Sequence, residues 1–477
     1  MNTAKTIVQS PDAERAMRDA LERQRSAFLR DGAPLLADRR RDLTKLKEAL
    51  LARQDDFIAA LDADFGHRSR QETLMLDIGS TVGAINYLHG NLRRFMRPER
   101  RHVAAIFKPG TAKVVYQPLG VVGIVSPWNF PVSLAVTPLA TALAAGNRVM
   151  LKPSEMTPAT TSLLASMLAE IFDAEQVAVV TGDAKVGSAF SSLPFDHLLF
   201  TGSTPVGRSI MRAATENLMP VTLELGGKSP VIVEPGYNLK TAARRVAFGK
   251  LANGGQICTS PDYLLLPKGE ADAFVALFRE EVDALYPDIA ANPDYSWVVN
   301  DRHFARLTGL VEDAKAKGAR AVEIGAKPND AQSRLFRPTL LLDVTDDMAV
   351  MQEEIFGPIL PIVTYDGLDD AIAYVNGRPR PLALYYFGTE AQSQEKVLER
   401  TTSGGVLIND TILHYAQDDL PFGGVGLSGM GAYHGPEGFK TMSHAKAVFT
   451  QGRFNLADLF RPPFGRTYEF LLGRMLR

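Results

Sequence analysis

Residues 120–155 read GVVGIVSPWNFPVSLAVTPLATALAAGNRVMLKPSE, and this stretch indicates the fold. Gly120–Val125 is a short apolar run typical of a buried strand, and Val132–Ala145 is long enough for a helix. A second apolar run, Arg148–Leu151, is followed by the polar turn Lys152–Glu155. A strand, a helix and a second strand predict a parallel βαβ unit, because parallel strands need a crossover connection.

The same alternation continues from this unit to residue 225. The further predicted elements are a helix at Pro158–Phe172, strands at Val177–Val180 and His197–Phe200, a helix at Pro205–Glu216 and a strand at Val221–Leu225. Another α/β stretch extends from about residue 230 to about residue 409. We therefore predict an α/β fold whose first part contains a doubly wound sheet.

Composition places the chain among ordinary globular proteins. Its 477 residues are 45% hydrophobic, which is enough for more than one domain-sized core. The 52 basic and 54 acidic residues give a net charge of −2. The chain therefore lacks the excess of basic residues that would indicate nucleic acid binding. One cysteine and eight scattered histidines predict neither a disulfide nor a metal site.

The two ends of the chain are where targeting signals and membrane-binding segments commonly lie. The N-terminus has no secretory signal pattern, and no apolar run approaches the roughly 20 residues that span a bilayer, so we expect a cytoplasmic protein. Residues 467–477 mix apolar side chains such as Phe470 and Met475 with Arg474. This tail predicts either a peripheral membrane helix or, in our preferred interpretation, a short helix docked on a dimer.

A dinucleotide site is expected where a strand meets the N-terminus of a helix. The segment Phe200–Gly207 has this form, because Thr204 is a suitable N-cap and Pro205 suits the first helical position. Its glycines are spaced G-x-x-x-x-G, so the usual G-x-G-x-x-G fingerprint is absent. Taken alone, this segment and the Lys152–Glu155 turn are each more often tight turns than ligand loops.

Seven motifs taken together resemble the aldehyde dehydrogenase superfamily over nearly the whole chain. In chain order they are Pro127–Pro131 (PWNFP), Lys152–Glu155 (KPSE), Phe200–Ser203 (FTGS), Leu223–Pro230 (LELGGKSP), Gly255–Cys258 (GQIC), Glu353–Pro358 (EEIFGP) and Pro421–Gly424 (PFGG). The resemblance implies a Rossmann-like dinucleotide domain without the glycine fingerprint, an α/β catalytic domain and a small β oligomerisation element.

The resemblance also implies a cofactor, NAD with NADP as an alternative, and the residues that bind it. Lys152 and Glu155 would contact the adenosine ribose. Gly202, Ser203 and Val206 would contact the pyrophosphate, and Glu354 and Phe356 would contact the nicotinamide ribose. A carboxylate such as that of Glu155 accepts from ribose hydroxyls and repels a 2′-phosphate, which favours NAD.

The reaction implied is oxidation of an aldehyde to a carboxylic acid through a thioester. By composition alone Cys258 is more often core filler than nucleophile, but the resemblance makes it the nucleophile. Asn129 and the Cys258 backbone N–H would stabilise the oxyanion, and Glu224, 34 positions before the cysteine, would be the general base. Relatives that pass the acyl group to coenzyme A generally lack this base, so its presence favours hydrolysis.

Finer features indicate a branch, a substrate and a domain arrangement. Cys258–Tyr263 (CTSPDY) resembles the class 3 branch, and residues 376–385 and 459–465 most resemble bacterial coniferyl aldehyde dehydrogenases. A medium- or long-chain aliphatic aldehyde dehydrogenase is the alternative, and a cofactor-independent thiol hydrolase or a non-catalytic relative is more remote.

We expect the chain to form a homodimer and to bind no metal ion, and we expect it to contain three regions. We expect a dinucleotide domain of residues 1–102 and 117–224, a catalytic domain of residues 225–410, and a bridging element and tail of residues 103–116 and 411–477. In the bridge, residues 103–116 would pair with a strand near 445–454.

Overall fold

The computed structural model describes residues 6–7 and 13–477, which form three β-sheets and the helices that cover them. The strands are β1 (Thr6–Ile7), β2 (Glu99–Arg101), β3 (Thr111–Pro118), β4 (Val121–Val125), β5 (Arg148–Lys152), β6 (Val177–Val180), β7 (His197–Thr201), β8 (Val221–Glu224), β9 (Ser229–Val233), β10 (Pro261–Pro267), β11 (Arg320–Glu323), β12 (Thr339–Leu342), β13 (Ile359–Tyr365), β14 (Ala383–Phe387), β15 (Gly405–Ile408), β16 (Gly429–Met430) and β17 (Ser443–Thr450).

Helices occupy much of the remaining chain. They are α1 (Ala13–Asp31), α2 (Leu36–Ala52), α3 (Gln54–Phe65), α4 (Arg70–Glu72), α5 (Ser80–Phe95), α6 (Ser133–Ala145), α7 (Pro158–Ile171), α8 (Ala184–Ser191), α9 (Thr204–Thr215), α10 (Leu239–Leu251), α11 (Ala271–Leu285), α12 (Asp301–Ala316), α13 (Ala349–Gln352), α14 (Leu368–Asn376), α15 (Ala391–Arg400), α16 (Gly435–Thr441) and α17 (Arg466–Met475). A π-helical segment, Thr73–Gly79, joins α4 to α5.

The first sheet has the strand order β1-β6-β5-β4-β7-β8-β16. Every neighbouring pair is parallel except β8 and β16, which are antiparallel. From β4 the chain moves outwards through β5 and β6, and then returns to the other side of β4 for β7 and β8. The order therefore reverses between β4 and β7, and ligands of such sheets bind beyond the carboxyl ends of the strands at this point.

Helix α6 is the central helix on one face of this sheet. All of its residues are buried, which fits its nearly continuous apolar sequence. It ends at Gly146, whose φ of 93° suits glycine, and the guanidinium of Arg39 donates to the Ala144 carbonyl at 2.9 Å. Helices α2, α3, α5 and α7 contribute to the same core, while α1, α8 and α9 contribute to a core on the opposite face.

The second sheet has the order β11-β12-β13-β10-β9-β14-β15 and is parallel except for the pair β11–β12. Helices α10 and α11 contribute to the core on one face, and α12 and α14 contribute to the core on the other. Strands β9, β10 and β14 are buried along their whole lengths. Strands buried on both faces are typical of parallel sheets covered by helices, so this region is also α/β.

The third sheet is a small antiparallel one, in the order β17-β3-β2. Strand β17 pairs with β3 from Ser443↔Pro118 to Thr450↔Thr111, so the pairing expected between residues 103–116 and 445–454 is present. Two elements of the range 411–477 lie elsewhere, because β16 pairs with β8 in the first sheet and α16 packs on α5 and α6. The three domains with their bounds stay a prediction.

The C-terminal helix α17 lies on the surface and has no buried residue. Phe470 is 67% exposed, and the helix contacts the short 3₁₀ segment at residues 456–460. Within the described parts of the chain, no helix has both the length and the apolar character needed to cross a membrane. Docking of this tail on a partner or on a membrane surface stays a prediction.

The elements predicted between residues 120 and 225 agree with the structure to within one residue at most of their ends. The helix Ala184–Ser191 is the exception, because nothing was predicted there. It has eight residues, and Asp183 caps it by accepting from the N–H groups of Lys185 and Val186. Its apolar pattern is too short to distinguish from a loop by periodicity alone.

Asn147 links three elements at the amino ends of the central strands. Its side-chain oxygen accepts from the N–H groups of Leu119 and Gly120 at 2.7 and 3.1 Å, and its Nδ2 donates to the Met442 carbonyl at 2.8 Å. We expect Asn147→Ala to lower the free energy of unfolding by about 2–5 kcal/mol, because buried groups left without partners cost about 1–3 kcal/mol each.

Urea unfolding measures this loss, with Asn217→Ala as the matched control. The exposed Asn217 makes one side-chain bond, to the Ser192 carbonyl at 3.2 Å, and its loss should change stability by about 0.5 kcal/mol or less. Equal midpoints for the two variants would contradict the linking role of Asn147.

Candidate active site

Cys258 follows a short 3₁₀ turn, Ala252–Gly255, between α10 and β10. Three consecutive residues of this turn have left-handed backbone: Asn253, Gly254 and Gly255 have φ values of 51°, 60° and 74°. A Cβ on Gly255 would lie 2.4 Å from the Gly357 carbonyl oxygen, so only glycine fits there. The turn brings Cys258 to the side of α6 that faces the first sheet's carboxyl edge.

Two cavities meet at Cys258. The first has a volume of about 340 Å³ and is mainly apolar, and the second has a volume of about 510 Å³. Of their lining residues, Leu134 and Cys258 are common to both. The cysteine is therefore reached from two separate spaces, one of which is suited to an apolar substrate and one to a more polar ligand.

The second cavity lies at the point where the order of the first sheet reverses. Pro127–Asn129, which follow β4, line one side, and Thr201–Ser203, at the end of β7, line another. Thr204 and Pro205, at the start of α9, also line it. A helix N-terminus beside a strand end favours anions such as a pyrophosphate. The structure thus brings Gly202 and Ser203 into one cavity with Cys258, Glu224 and Asn129.

Glu224 ends β8 and projects into the second cavity. The residue is 2% exposed, and neither carboxylate oxygen has a hydrogen-bond partner among the described residues. Burial raises its pKa well above the usual value, because the charged form loses hydration without gaining a donor. A buried carboxyl group with a raised pKa and unpartnered oxygens in a cavity is suited to exchange protons with a ligand or water there.

The environment of the Cys258 sulfur favours the neutral thiol. Burial, together with the charges of Glu354 and Glu224, raises its pKa to about 12. The backbone N–H groups of Cys258 and Thr259 donate to the sulfur and lower the pKa in part. Stabilisation of the thiolate is therefore limited to these backbone donors, and a proton acceptor is needed to form it.

Asn129 is buried beside this sulfur at the end of the segment after β4. Its Nδ2 donates to the Gln256 carbonyl at 3.0 Å. A side-chain amide has two N–H groups, so the second remains available for an oxyanion. Its carbonyl accepts from Arg68 at 2.8 Å and from the Asn253 side chain at 3.0 Å, which ties the residue to the turn before Cys258.

A buried ionic network behind Asn129 was not predicted from the sequence. Arg68 lies 3.5 Å from Asp77 with both side chains inaccessible to solvent, and Asp77 also accepts from the Ser133 N–H. Glu72 accepts from the Asn253 N–H at 2.9 Å and from the Ser296 hydroxyl at 2.8 Å. A carboxylate within an apolar run, as Asp77 is in TLMLDIG, was the signal available in the sequence.

Glu354 lies across the second cavity from these residues. Its Oε1 is buried without a hydrogen-bond partner, while the Gly227 N–H donates to the carboxylate. Burial, with the charge of Asp262, raises its pKa to about 8. A Cβ on Gly226 would lie 2.0 Å from Glu354 Oε2, so this glycine is needed for the carboxylate to lie where it does. Phe356, with a φ of 52°, packs against Trp128 with ring centroids 5.3 Å apart.

Comparison with known proteins identifies the family to which this arrangement of residues belongs. The profile of the Aldehyde dehydrogenase family matches residues 2–448. The chain belongs to the aldehyde dehydrogenase family. A protein of Pseudomonas aeruginosa named probable coniferyl aldehyde dehydrogenase is 53% identical over 95% of this chain and 94% of that protein.

Two solved structures of other aldehyde dehydrogenases are also similar. Staphylococcus aureus AldH in its substrate-bound state has a TM-score of 0.91 at 37% identity, over 96% of this chain and 99% of that one. A Mycobacterium tuberculosis aldehyde dehydrogenase complexed with NAD+ has a TM-score of 0.84 at 32% identity, over 93% of this chain and 91% of that one. The predicted family, fold class and enzyme class are thus confirmed, and the NAD+ complex is consistent with the expected cofactor.

Three of the residues expected to bind the dinucleotide lie outside the described lining of the second cavity. Lys152 and Glu155 form an ion pair of 2.8 Å at the carboxyl end of β5, beside the strand that leads to Pro127. Val206 is 48% exposed in the first turn of α9. Their contact with a dinucleotide stays a prediction. Within residues 6–7 and 13–477, no three His, Cys, Asp or Glu side chains are grouped to hold a metal ion.

The Arg68 network generates a stability prediction. We expect Arg68→Ala to lower the free energy of unfolding by about 3–5 kcal/mol, because Asp77 and Glu72 would remain buried without a counter-charge. The matched control is Arg70→Ala, since Arg70 pairs with Asp55 on the surface, where an ion pair contributes about 0–1 kcal/mol. Denaturant unfolding of both variants checks this, and similar losses would show that the buried charge is unimportant.

Proposed function

We propose that this enzyme oxidises coniferyl aldehyde to ferulate with NAD+, through a thioester on Cys258. The observation that carries the proposal is the position of Cys258 at the meeting point of an apolar cavity and a more polar one. The apolar cavity would take the aromatic aldehyde, and the second would take the dinucleotide. The 53% identity to a probable coniferyl aldehyde dehydrogenase supports the choice of aldehyde.

The first cavity suits a flat, mostly apolar substrate. Phe130, Leu134, Ile257 and Ile412 line it near Cys258, and its volume of about 340 Å³ lies within the usual range for small-ligand sites. An aldehyde carbon that enters from this side reaches the sulfur from the face opposite the dinucleotide cavity. Hydride transfer from an aldehyde to a cofactor requires that the two molecules reach the same reacting centre from separate sides.

The residues of the second cavity fit a nicotinamide dinucleotide. The buried, unpartnered Glu354 Oε1 can accept from a ribose hydroxyl, and the start of α9 with Gly202 and Ser203 can face a pyrophosphate. When bound, the nicotinamide accepts a hydride, that is two electrons and a proton, from the substrate carbon. Phe356 and Trp128 line the same cavity and limit the position of the ring.

Thioester formation begins with the Cys258 thiol. Because the sulfur environment favours the neutral form, Glu224 takes the thiol proton, directly or through water, as the sulfur adds to the aldehyde carbon. The Asn129 amide and the Cys258 N–H stabilise the resulting oxyanion, and one such donor typically contributes roughly 3–4 kcal/mol. The carbon–hydrogen bond of this adduct then breaks, which leaves an acyl group on Cys258.

Hydrolysis of the acyl group needs a second proton transfer. Glu224 first releases the thiol proton to solvent and then accepts a proton from water as the oxygen adds to the thioester carbon. The carbon–sulfur bond breaks, Glu224 returns its proton to the Cys258 sulfur, and the carboxylic acid loses the second proton to solvent. The balance is one aldehyde, one water and one NAD+ giving one carboxylate, one NADH and two protons. Glu224 has no competing hydrogen-bond partner, which leaves both of its oxygens available to water.

Cofactor choice depends on the Lys152–Glu155 pair. The buried Lys152 holds Glu155 at 2.8 Å, so the carboxylate is fixed at the edge where the adenosine ribose would lie. A fixed carboxylate accepts from the two ribose hydroxyls and repels a 2′-phosphate, so NAD is preferred over NADP. The adjacent ammonium group weakens that repulsion, which leaves NADP as the poorer cofactor.

The assembly that we propose is a cytoplasmic homodimer that uses the third sheet. Strand β17 is an edge strand of that sheet, and Phe449 on it is 50% exposed. An exposed edge with an apolar side chain is suited to pairing with a second copy of the same chain. This arrangement keeps both cavities of each subunit away from the contact.

The first test replaces the nucleophile. Cys258→Ala should abolish NADH formation from coniferyl aldehyde, because no other sulfur can form the thioester, while NAD+ still binds. Quenching of the fluorescence of Trp128, which lines the dinucleotide cavity, reports binding in the variant. Turnover above a few per cent of wild type would place the nucleophile elsewhere. NADH formation by the wild type from saturated aliphatic aldehydes alone would overturn the coniferyl assignment.

The second test replaces the base. On rapid mixing, Glu224→Gln should give a slowed burst of at most one NADH per active site, because the thiol proton must then leave to water. The steady state that follows should be about 10²–10⁴-fold slower than in the wild type, because the amide cannot accept a proton from the attacking water. The raised pKa of Glu224 means that its basic form accumulates as pH rises, so the wild-type steady-state rate should increase with pH. Mass spectrometry should detect the acyl group on Cys258 in the variant. Normal turnover with a lowered melting temperature would make Glu224 structural.

A further inference from the structure

Besides Cys258 and Tyr415, the mainly apolar first cavity is lined by two further ionisable side chains. They are Asp418, in the segment before β16, and His434, which immediately precedes α16. The remaining lining near them comes from α5 and α6, including Gly83, Ala84 and Thr137. Neither Asp418 nor His434 takes part in the chemistry at Cys258 described above.

These two side chains also line a small adjoining cavity of about 10 Å³, which Cys258 does not line. Ala84, Thr137, Asp418 and His434 are common to this cavity and the first one, so they form the boundary between the two spaces. The adjoining cavity holds about one water at most, so a polar group of a ligand in the first cavity can meet Asp418 and His434 at this boundary.

Both side chains lack hydrogen-bond partners in the described part of the chain. His434 is 4% exposed, and neither ring nitrogen has a partner. The ring is fixed between Phe422, Tyr415 and Tyr433, with centroid distances of 5.1, 4.9 and 4.6 Å. The half-buried Asp418 carboxylate lies against Gly83, and no described donor bonds to it. Buried polar groups are normally hydrogen-bonded, so both are suited to a polar group on a ligand.

We propose that Asp418 and His434 bind the para-hydroxyl group of a hydroxycinnamyl aldehyde. The phenolic O–H donates to the Asp418 carboxylate, and an N–H of the His434 imidazole donates to the phenolic oxygen. The proposal rests on the proposed function, because it assumes that an aromatic aldehyde occupies this cavity. It makes these two residues determinants of substrate specificity.

The pairing also predicts that a purely apolar aldehyde is a poorer substrate. A saturated chain or an unsubstituted ring that reaches this boundary covers Asp418 and His434 without offering a hydrogen bond. Sites built to hydrogen-bond a substrate hydroxyl reject analogues without it, because their own polar groups are left unpaired. Discrimination therefore arises at the end of the substrate remote from the reacting carbon.

The experiment compares kcat/KM for two aldehydes that differ only in this group. The pair is 4-hydroxycinnamaldehyde and cinnamaldehyde, assayed by NADH formation with the full-length enzyme at saturating NAD+. For the wild type we expect a ratio of about 10–100 in favour of the hydroxylated aldehyde, which is typical of a hydrogen bond to a charged group. The unsubstituted aldehyde is the internal reference in every variant.

Two variants test the residues separately. Asp418→Asn should lower the ratio towards one, since the amide presents a weaker acceptor, and His434→Phe should lower it while keeping the ring packing against Phe422 and Tyr433. The matched control is Asp419→Asn, which changes the neighbouring exposed carboxylate that accepts from Tyr87 and does not line the cavity. Its ratio should equal that of the wild type.

The outcomes separate this inference from the proposed function. Lowered ratios in both cavity variants, with a normal ratio in the control, support it. A wild-type ratio near one, or unchanged ratios in both variants, overturns it while leaving aromatic aldehyde oxidation intact. If the wild type oxidises neither cinnamyl aldehyde but does oxidise aliphatic ones, the proposed substrate fails and this inference fails with it.

Discussion

The buried guanidinium of Arg68 joins parts of the chain that are far apart in sequence. It contacts Asp77 in the π-helical segment and the Asn129 carbonyl after β4, and Glu72 beside it accepts from Asn253 in the turn before Cys258. Asn129 and the turn before Cys258 are thus both held in place by one buried ionic network. Moving one of them without the other would break a bond in a medium of low polarity, where replacement by water is unavailable.

The electrostatics of the reacting centre follow from a related constraint. Burial, with the nearby carboxyl groups of Glu354 and Glu224, favours the neutral form of the Cys258 thiol. Burial also raises the pKa of both carboxyl groups, so in the mechanism that we propose protons must move within this centre when the thioester forms. Such a thiol is unreactive towards oxidants and other electrophiles until an acceptor removes its proton. In the proposed mechanism, the low reactivity of the resting thiol and its need for Glu224 as proton acceptor both follow from the neutral form of the buried thiol.

The sequence predicted the first sheet well because its signals are local. The strand runs around Val121–Val125 and Val149–Leu151 are apolar and short, and α6 between them is long, so period and length agree. The site residues Cys258, Glu224 and Glu354 were found through motifs, and the structure brings them to one cavity. Their roles remain predictions that need kinetics.

Other features could not be predicted because they depend on contacts between distant segments. Arg68 and Asn129 are 61 positions apart, and Asn253 and Glu72 are 181 apart. Asp418 could not be singled out from the sequence, since its unpartnered carboxylate is a property of the packed cavity. The two cavities share Leu134 and Cys258, and the other residues of their described linings differ, although segments such as residues 127–130 and 433–434 contribute to both. Substitutions in the substrate cavity can therefore accumulate without altering the dinucleotide face, which lets related enzymes diverge in substrate range while inheriting the same chemistry.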